Sequence, residues 1–221
     1  MKFDTKRFKG IIFDLDGTLV DSPHVWQHID AVFLGKRGLA VPENYFAEVC
    51  AMNFSQAADY TIARFGLDDK PEDVVREWFD LAIDEYRHNI PLKPHAAEFL
   101  RALNAAGIKI ALATAAAPAL FEAVLKNHGV YDLFDAFAST GEVARGKGFP
   151  DVYILAAERI GLAPADCAVF EDIREGIQGA KDGGFVSVAV LDASARACWD
   201  ALKTEADYWI SSYAELIEQE V

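Results

Sequence analysis

The stretch FDLDGTLVDS at residues 13–22 places two aspartates one residue apart, directly after an apolar run and directly before a glycine. The run at residues 10–13 is short and continuously apolar, which is typical of a strand buried on both faces of a parallel sheet. Asp14 and Asp16 would therefore stand at the carboxyl end of that strand. Two like charges this close shift each other's pKa or share a bound cation. Taken alone, the pair could also be an ordinary turn in which Gly17 adopts a positive φ.

Further apolar runs alternate with helical patterns after Pro91. We expect strands at residues 108–113, 136–138, 167–170, 185–190 and 208–210. Apolar spacings of three and four predict helices at residues 94–106, 120–128, 152–160 and 177–181. Ser212 and Glu215 form a capping box for a last helix. This alternation predicts an α/β fold with a Rossmann-like parallel sheet that is covered by helices on both faces.

The segment between the first strand and Pro91 is helical throughout. Apolar residues lie three or four apart at residues 25–34, 54–65 and 74–86, and no strand-like run interrupts them. Ser22 is placed as the N-cap of the first helix, with Pro23 at its first position. The sequence therefore predicts a core domain made of residues 1–20 and 91–221. Residues 21–90, which we call the helical insert, form a separate all-helical domain.

Polar side chains collect at the ends of three predicted strands. Asp14 and Asp16 follow the first, Thr114 ends the second, and Glu171 and Asp172 end a later one. Ligands of parallel α/β sheets bind beyond the carboxyl ends of the strands. Oxygen ligands alone favour a hard cation such as Mg²⁺. A Mg²⁺ ion, a carboxylate nucleophile and a second carboxylic acid suit phosphoryl transfer, which needs charge neutralisation and in-line positioning.

The composition narrows the choice of partners. The chain of 221 residues carries 35 acidic and 21 basic side chains, a net charge of −14. Such a surface repels nucleic acid and anionic membranes, so we expect neither as a partner. An anionic substrate would need a local cation. Three widely spaced cysteines, no signal peptide pattern and no run near the ~20 apolar residues of a membrane span predict a reduced, cytosolic protein.

Four motifs in order resemble those of the haloacid dehalogenase (HAD) superfamily. The first is DLDGT at residues 14–18, and Thr114 at a strand end is similar to the second. The third is GKGFPD at residues 146–151, and the fourth is FEDIREG at residues 170–176. The resemblance covers nearly the whole chain. The position of the helical insert resembles the type 1 cap of the phosphatase and β-phosphoglucomutase branch.

The resemblance implies a role for each catalytic residue. Asp14 would attack phosphorus and form an aspartyl phosphate. Asp16 would protonate the leaving alcohol and then activate water. Thr114 and the backbone N–H of Ala115 would bind phosphoryl oxygens. Lys147 would neutralise charge between Asp14 and the phosphate, and it supplies the cation that the acidic chain requires.

The resemblance also implies a Mg²⁺ site. Asp14, the backbone carbonyl of Asp16 and Asp172 would hold the ion, with Glu171 touching it directly or lying just behind. Ile173 stands where many relatives have a serine, so one supporting hydroxyl is missing from the motif. Departures elsewhere, Ala115 in the second motif and Gly148 in the third, leave every core catalytic group in place.

Within the superfamily, Asp16 argues against the dehalogenases and the phosphonatases, which generally lack this acid. A phosphosugar mutase is harder to exclude. Such mutases carry basic residues before the substrate loop of the cap, where residues 50–52 read Cys-Ala-Met. Neither His24 nor His28 matches the histidine of their cap hinge. We therefore expect a phosphomonoesterase for a small phosphorylated metabolite, such as a sugar phosphate. A mutase and a catalytically weak binding protein are the alternatives.

Predictions for the helical insert are coarser. Asn53, Phe54 and Ser55 are candidates for substrate specificity, although they could equally start a helix. Trp78, Phe79 and Tyr86 are expected in the core of the insert. The roles of His24, His28, Lys36 and Arg37 stay open. We expect a monomer, because a cap must be free to move.

Overall fold

The structure is a computed structural model that describes residues 3–217. Six strands form one sheet, in the order β3-β2-β1-β4-β5-β6, and every neighbouring pair is parallel. The strands are β1 Gly10–Phe13, β2 Lys109–Thr114, β3 Ala136–Ser139, β4 Cys167–Glu171, β5 Val186–Val190 and β6 Tyr208–Ile210. The α/β fold and all six predicted strands are confirmed.

β1 occupies the centre of the sheet, between β2 and β4. The strand order reverses at this point, and in open α/β sheets the ligand crevice forms there. Phe13 pairs with Leu112 on one side and with Phe170 on the other. The next residue, Asp14, therefore leaves the sheet beside the end of β4, where the fourth motif begins.

Four helices follow β1 before the chain returns to the sheet. They are α1 Pro23–Lys36, α2 Tyr45–Val49, α3 Phe54–Phe65 and α4 Pro71–His88. The remaining helices are α5 Ala96–Ala105, α6 Pro118–Asn127, α7 Asp151–Arg159, α8 Arg174–Asp182, α9 Trp199–Glu205 and α10 Ala214–Ile217. None of the helices among residues 3–217 is long and apolar enough to cross a bilayer. The short helices α2 and α9 were not predicted.

The chain enters and leaves the helical insert through two adjacent segments. Val20 bridges to Leu92, and the Asp21 N–H donates to the Pro91 carbonyl at 3.0 Å. The Lys93 N–H donates in the other direction, to the Leu19 carbonyl at 2.8 Å. The predicted boundaries of the helical insert, near residues 20 and 91, lie within these two segments. The division into two domains stays a prediction, since α4 of the insert also packs against α6.

Helix α1 begins after Ser22 as predicted, but the Ser22 side chain does not cap the helix. Ser22 occupies the N-cap position, but its side chain makes no capping hydrogen bond to the helix. Its hydroxyl donates instead to Asp16 Oδ1 at 2.5 Å. The carboxylate is a stronger acceptor and lies within reach of the same side chain. Ser22, which the sequence pattern marks as a helix start, therefore binds Asp16 in the loop after β1.

Candidate active site

The loop after β1 is a tight turn in which residues 19 and 20 come back to contact Leu15. The Leu15 carbonyl accepts the N–H groups of Leu19 and Val20 at 2.8 and 3.0 Å. Gly17 has φ +81°, and a Cβ there would lie 2.1 Å from Asp172 Oδ2. Any other residue at this position would be strained and would displace the carboxylate. The glycine of the first motif therefore lets the acid of the fourth motif lie against the turn.

Three acidic side chains meet at this edge of the sheet. Asp14, Glu171 and Asp172 are all buried, and each offers one carboxylate oxygen within 4.8 Å of the other two. Burial raises the pKa of both Glu171 and Asp172, and the neighbouring Asp14 charge raises them further. The cluster therefore carries an electrostatic cost that a cation would relieve.

Lys147 brings a positive charge to this acidic cluster. Its Nζ contacts Asp14 and lies 2.7 Å from Glu171 Oε1, and the residue is 3% exposed. Burial opposes the ammonium charge, but Asp14 and Glu171 together outweigh burial and raise the pKa of Lys147. The lysine is therefore charged, and it joins the first and fourth motifs.

The remaining carboxylate contacts come from residues outside the four motifs or at their edges. Tyr153 donates its hydroxyl to Glu171 Oε1 at 2.8 Å, while Glu171 Oε2 is buried with no partner among residues 3–217. A Cβ on Gly176 would lie 2.4 Å from the Glu171 carboxyl carbon. Thr18, the last residue of the first motif, donates to Asp172 Oδ1 at 3.2 Å.

These residues fit a divalent cation. One lysine faces three carboxylates, all ligand atoms are oxygens, and one buried carboxylate oxygen lacks a partner. Such a donor set suits Mg²⁺ better than zinc, which prefers sulfur and nitrogen. We note that Asp14 and Asp172 line the adjoining cavity, whereas Glu171 is fully buried behind them.

Asp16 is held by two residues of the helical insert, one near its start and one near its end. It accepts hydrogen bonds from the Ser22 hydroxyl and from the Tyr86 hydroxyl. Tyr86 in turn accepts the Trp26 Nε1–H at 2.9 Å. Burial raises the pKa of Asp16 to about 6, and the Asp14 charge adds to this. The sequence placed Tyr86 in the core of the insert, and no pattern signalled its contact with Asp16.

A cavity of about 120 Å³ lies between the strand ends and the insert. Its strand-end side is lined by Asp14, Asp16, Ala115, Ala116, Lys147, Asp172 and Ile173. Its insert side is lined by Trp26, Asp30, Tyr45, Phe46, Val49, Cys50, Met52, Phe54, Ala57 and Trp78. Thr114 is fully buried and lies outside the lining, and its Oγ1 accepts the Ala116 N–H at 3.0 Å.

The three specificity candidates occupy different positions. Phe54 lines the cavity. Asn53 caps α3, because its side chain accepts the Gln56 N–H at 2.9 Å, and Gln56 returns the contact. Ser55 is exposed on the first turn of that helix. A role in substrate specificity remains a prediction for these residues. Of the three side chains, that of Phe54 is the one in the cavity lining.

The four insert residues whose roles the sequence left open lie outside the cavity lining. Arg37 pairs with Asp69 at 2.7 Å and with Glu77 at 2.9 Å, and its guanidinium stacks on the Phe33 ring. Lys36 pairs with Glu77 at 2.7 Å. His24 and His28 are exposed on α1. None of these four side chains lines the cavity.

The insert also contacts the loop of the third motif. The Lys147 N–H donates to the Ala51 carbonyl at 3.2 Å. A Cβ on Gly146 would lie 2.4 Å from that same carbonyl oxygen. The neighbouring Cys50 lines the cavity, but burial raises the pKa of its thiol to about 12, so it is not a thiolate. The insert is therefore closed over the strand ends.

A family model for haloacid dehalogenase-like hydrolases matches residues 8–184. The chain belongs to this family. It is 34% identical to hexitol phosphatase A of Escherichia coli (strain K12) over 186 residues, 83% of each chain. It is 29% identical to the fructose-1-phosphate phosphatase YqaB of the same organism, covering 84% of this chain and 97% of that protein.

Among solved structures, a CbbY variant from Rhodobacter sphaeroides in complex with xylulose-(1,5)bisphosphate superposes with a TM-score of 0.81. It is 25% identical and covers 95% of this chain and 96% of its own. The family match and the named phosphatase relatives place this chain in the phosphatase branch of the family. The predicted resemblance is confirmed.

Proposed function

We propose that the chain is a Mg²⁺-dependent phosphomonoesterase that acts on a small phosphorylated metabolite, a sugar phosphate in particular, through an aspartyl-phosphate intermediate. One observation carries this proposal. Asp14, Lys147 and Asp172 are buried together at the end of β1 and line one cavity with Asp16. This arrangement supplies a nucleophile, a cation, a metal ligand and a second acid around one point.

Each step of the reaction has a residue to perform it. An Asp14 carboxylate oxygen forms a bond to phosphorus, the bond from phosphorus to the leaving oxygen breaks, and Asp16 gives that oxygen its proton. Asp16, now a carboxylate, takes a proton from water as the water oxygen attacks phosphorus. Phosphate leaves and Asp14 is restored. Ser22 and Tyr86 fix the Asp16 carboxyl in place for both proton transfers.

The phosphoryl group would be bound on its oxygens. Lys147 contacts Asp14 and therefore lies beside the point of attack. The Thr114 oxygen already accepts the Ala116 N–H, which leaves its hydroxyl proton as a donor to a phosphoryl oxygen. Ala115 lines the cavity and offers its backbone N–H. We assign the phosphoryl contacts to these three residues.

The metal would be held by Asp14, Asp172 and the Asp16 backbone carbonyl, with Glu171 supporting them from behind. When bound there, Mg²⁺ would neutralise charge on the phosphoryl group and orient it toward the nucleophile. Thr18 and Gly17 keep Asp172 against the turn that carries Asp16. The same cluster without a cation would leave two carboxylates uncompensated by Lys147.

The preference for a monophosphate rests on the charges that line the cavity. Lys147 is the one Lys or Arg in the lining drawn from residues 3–217. A mutase must bind a second phosphate, and charge-assisted hydrogen bonds from Arg or Lys would supply that grip. Lys36 and Arg37 are occupied by Glu77 and Asp69 instead. The named sugar-phosphate phosphatases among the relatives support the same choice.

Phosphate release tests the proposal directly. We expect Mg²⁺-dependent release from p-nitrophenyl phosphate and from hexose and hexitol phosphates, and its loss in excess EDTA. The mutase alternative is tested by ³¹P NMR of β-glucose 1-phosphate with Mg²⁺ and a trace of β-glucose 1,6-bisphosphate. Rapid formation of glucose 6-phosphate with little free phosphate contradicts the proposal.

We also propose that the enzyme acts as a monomer in the cytosol. Closure of the insert over the strand ends involves contacts within one chain, such as that between Lys147 and Ala51. Sedimentation velocity at micromolar concentration should give the mass of a single chain. A stable dimer at that concentration contradicts this part of the proposal.

A further inference from the structure

The insert side of the cavity holds a buried acid that the chemistry above does not use. Asp30 lies on α1, is 8% exposed and lines the cavity. No hydrogen bond or ion pair to Asp30 is formed by the residues that the structure describes. Burial raises the pKa of its carboxyl to about 7. A carboxyl in this setting is costly unless something else binds it.

A second unpaired polar group lies in the same lining. Trp78 on α4 is 4% exposed, and its Nε1–H is buried with no partner among residues 3–217. Its ring packs against Phe33 and Phe54, which fixes its position. Buried polar groups of native proteins are normally hydrogen-bonded, so an unpaired donor and an unpaired acid beside one cavity indicate a missing ligand.

The two groups together select the chemistry of that ligand. A hydroxyl can donate to Asp30 and accept from Trp78, so a hydroxylated body satisfies both. A second phosphate would be repelled by the Asp30 carboxylate. An ammonium would pair with Asp30 but offers no acceptor to the indole N–H. The neighbouring aromatic faces of Trp26 and Phe54 suit the C–H groups of a carbohydrate chain.

We infer that Asp30 and Trp78 form a hydroxyl-binding subsite that selects phosphomonoesters with an uncharged polyhydroxylated body. This inference rests on the proposed function and extends it. The phosphate is held at the strand ends, and the body of the substrate is identified on the insert. Asp30 and Trp78 touch the part of the substrate that does not react, so they set specificity and not the chemical step.

The test compares substrates across variants. The substrates are sorbitol 6-phosphate, p-nitrophenyl phosphate, phosphoethanolamine, uridine 5′-monophosphate and fructose 1,6-bisphosphate, each with Mg²⁺. The wild type should prefer sorbitol 6-phosphate among the four substrates other than p-nitrophenyl phosphate. Asp30→Leu removes both oxygens and keeps the branching of the side chain at Cγ. It should lower the ratio of kcat/KM for sorbitol 6-phosphate to that for p-nitrophenyl phosphate by tenfold or more, mainly through KM.

Two further variants keep the test decisive if Asp30→Leu does not fold. Asp30→Asn keeps the shape and one acceptor, and should lower the same ratio about threefold. Trp78→Phe removes the N–H and should lower it as well. Asp59→Asn makes the same change on an exposed position of α3 and should leave every ratio as in the wild type.

The outcomes separate the two proposals. No hydrolysis of any substrate by the wild type overturns the proposed function, and this inference with it. Hydrolysis with an unchanged ratio in the Asp30 and Trp78 variants overturns the inference alone. A wild-type preference for phosphoethanolamine, uridine 5′-monophosphate or fructose 1,6-bisphosphate over sorbitol 6-phosphate also overturns it, because the subsite would then recognise a cation, a base or a second phosphate.

Discussion

The two sides of the cavity treat their polar groups differently. At the strand ends, Asp14 contacts Lys147, Asp172 accepts from Thr18, and Asp16 accepts from Ser22 and Tyr86. On the insert side, the Trp78 indole N–H is buried with no partner within the described part of the chain. The Asp30 carboxyl accepts no hydrogen bond from the described residues, and burial alone shifts its pKa. The strand-end groups Asp14, Asp16 and Asp172 thus have partners before substrate arrives, whereas Asp30 and the Trp78 indole N–H on the insert side have none among residues 3–217.

This difference follows from what each side must do. A catalytic group has to be positioned in advance, because reorganisation during the reaction would raise the barrier. A group that recognises the body of a substrate must be free to bind it. Unpaired buried groups cost stability, and natural proteins tolerate that cost at functional sites. Substitutions on both sides of the cavity test this difference, and those at the strand ends should have the largest effects.

Asp14→Asn should have the largest effect. It keeps the shape of the side chain but removes the nucleophilic oxygen, so turnover should fall roughly 10,000-fold or more. The neighbouring Lys147 keeps Glu171 as a partner, so the fold should persist. Phosphate release by the purified variant and its circular dichroism spectrum measure the two effects. Activity near that of the wild type would exclude Asp14 as the nucleophile.

Asp172→Ala should raise the Mg²⁺ concentration needed for half-maximal activity, on the order of a hundredfold, because it removes one of the proposed oxygen ligands. A titration of activity against Mg²⁺ measures this. Asp182→Ala changes an exposed aspartate on α8 and is the matched control. An unchanged Mg²⁺ dependence in Asp172→Ala would show that this carboxylate does not hold the metal.

Tyr86→Phe removes the hydroxyl that donates to Asp16. We expect kcat to fall about tenfold to hundredfold with little change in KM, since a hydrogen bond to a charged group contributes ~1.5–3 kcal/mol. Tyr60→Phe is the control. This variant also removes a hydrogen bond from a tyrosine hydroxyl to a carboxylate, that of Glu48, and both residues lie in the insert but outside the cavity lining. Equal kinetics for the two variants would contradict a role in positioning Asp16.

Asp30→Asn should stabilise the protein at high pH. The pKa of Asp30 is about 7 in the fold against 3.8 for a free side chain, so the folded state keeps a proton that the unfolded chain loses between these values. Stability of the wild type therefore falls as pH rises from ~4 to ~7. Tyr45 and Cys50, which share the lining, have pKa values raised to about 12 and do not titrate in this range.

The free energy of unfolding of Asp30→Asn minus that of the wild type should be smallest near pH 4 and should be ~1–3 kcal/mol larger at pH 8.5, the cost of one unpaired buried polar group. Urea unfolding at both pH values measures the difference. Titrations at the strand ends occur in both proteins and cancel. A loss of stability at pH 8.5 would mean that Asp30 has a stabilising partner and would remove the contrast between the two sides.

Gly146→Ala should have the smallest effect. The added methyl group would press on the Ala51 carbonyl and break its hydrogen bond to the Lys147 N–H. One such bond contributes ~0.5–1.5 kcal/mol, so kcat/KM should fall about threefold to tenfold. Gly148→Ala places a methyl group where no atom lies within 4 Å and is the control. Similar losses in both variants would point to the loop itself and not to closure of the insert.

The sequence was most informative where chemistry depends on local pattern. An apolar run that ends in Asp-Leu-Asp-Gly at residues 14–17 indicated the strand, its carboxyl end and the acidic site, because strand burial and the turn depend on neighbouring residues. Six strands in alternation with helices then required a parallel sheet. Lys147 was identified through its motif, and the structure places it between Asp14 and Glu171.

Contacts between distant residues came only from the tertiary structure. Thr18 and Asp172 are 154 positions apart, and Tyr86 and Asp16 are 70 apart. Asp30 shows the same limit. As one acid on a helix, it matches a solvated position, and only the packing of α1 against α4 buries it in the cavity lining that also includes Trp78. Periodicity specifies which face of a helix is apolar, but the direction in which the insert closes over the sheet depends on contacts that no local pattern encodes.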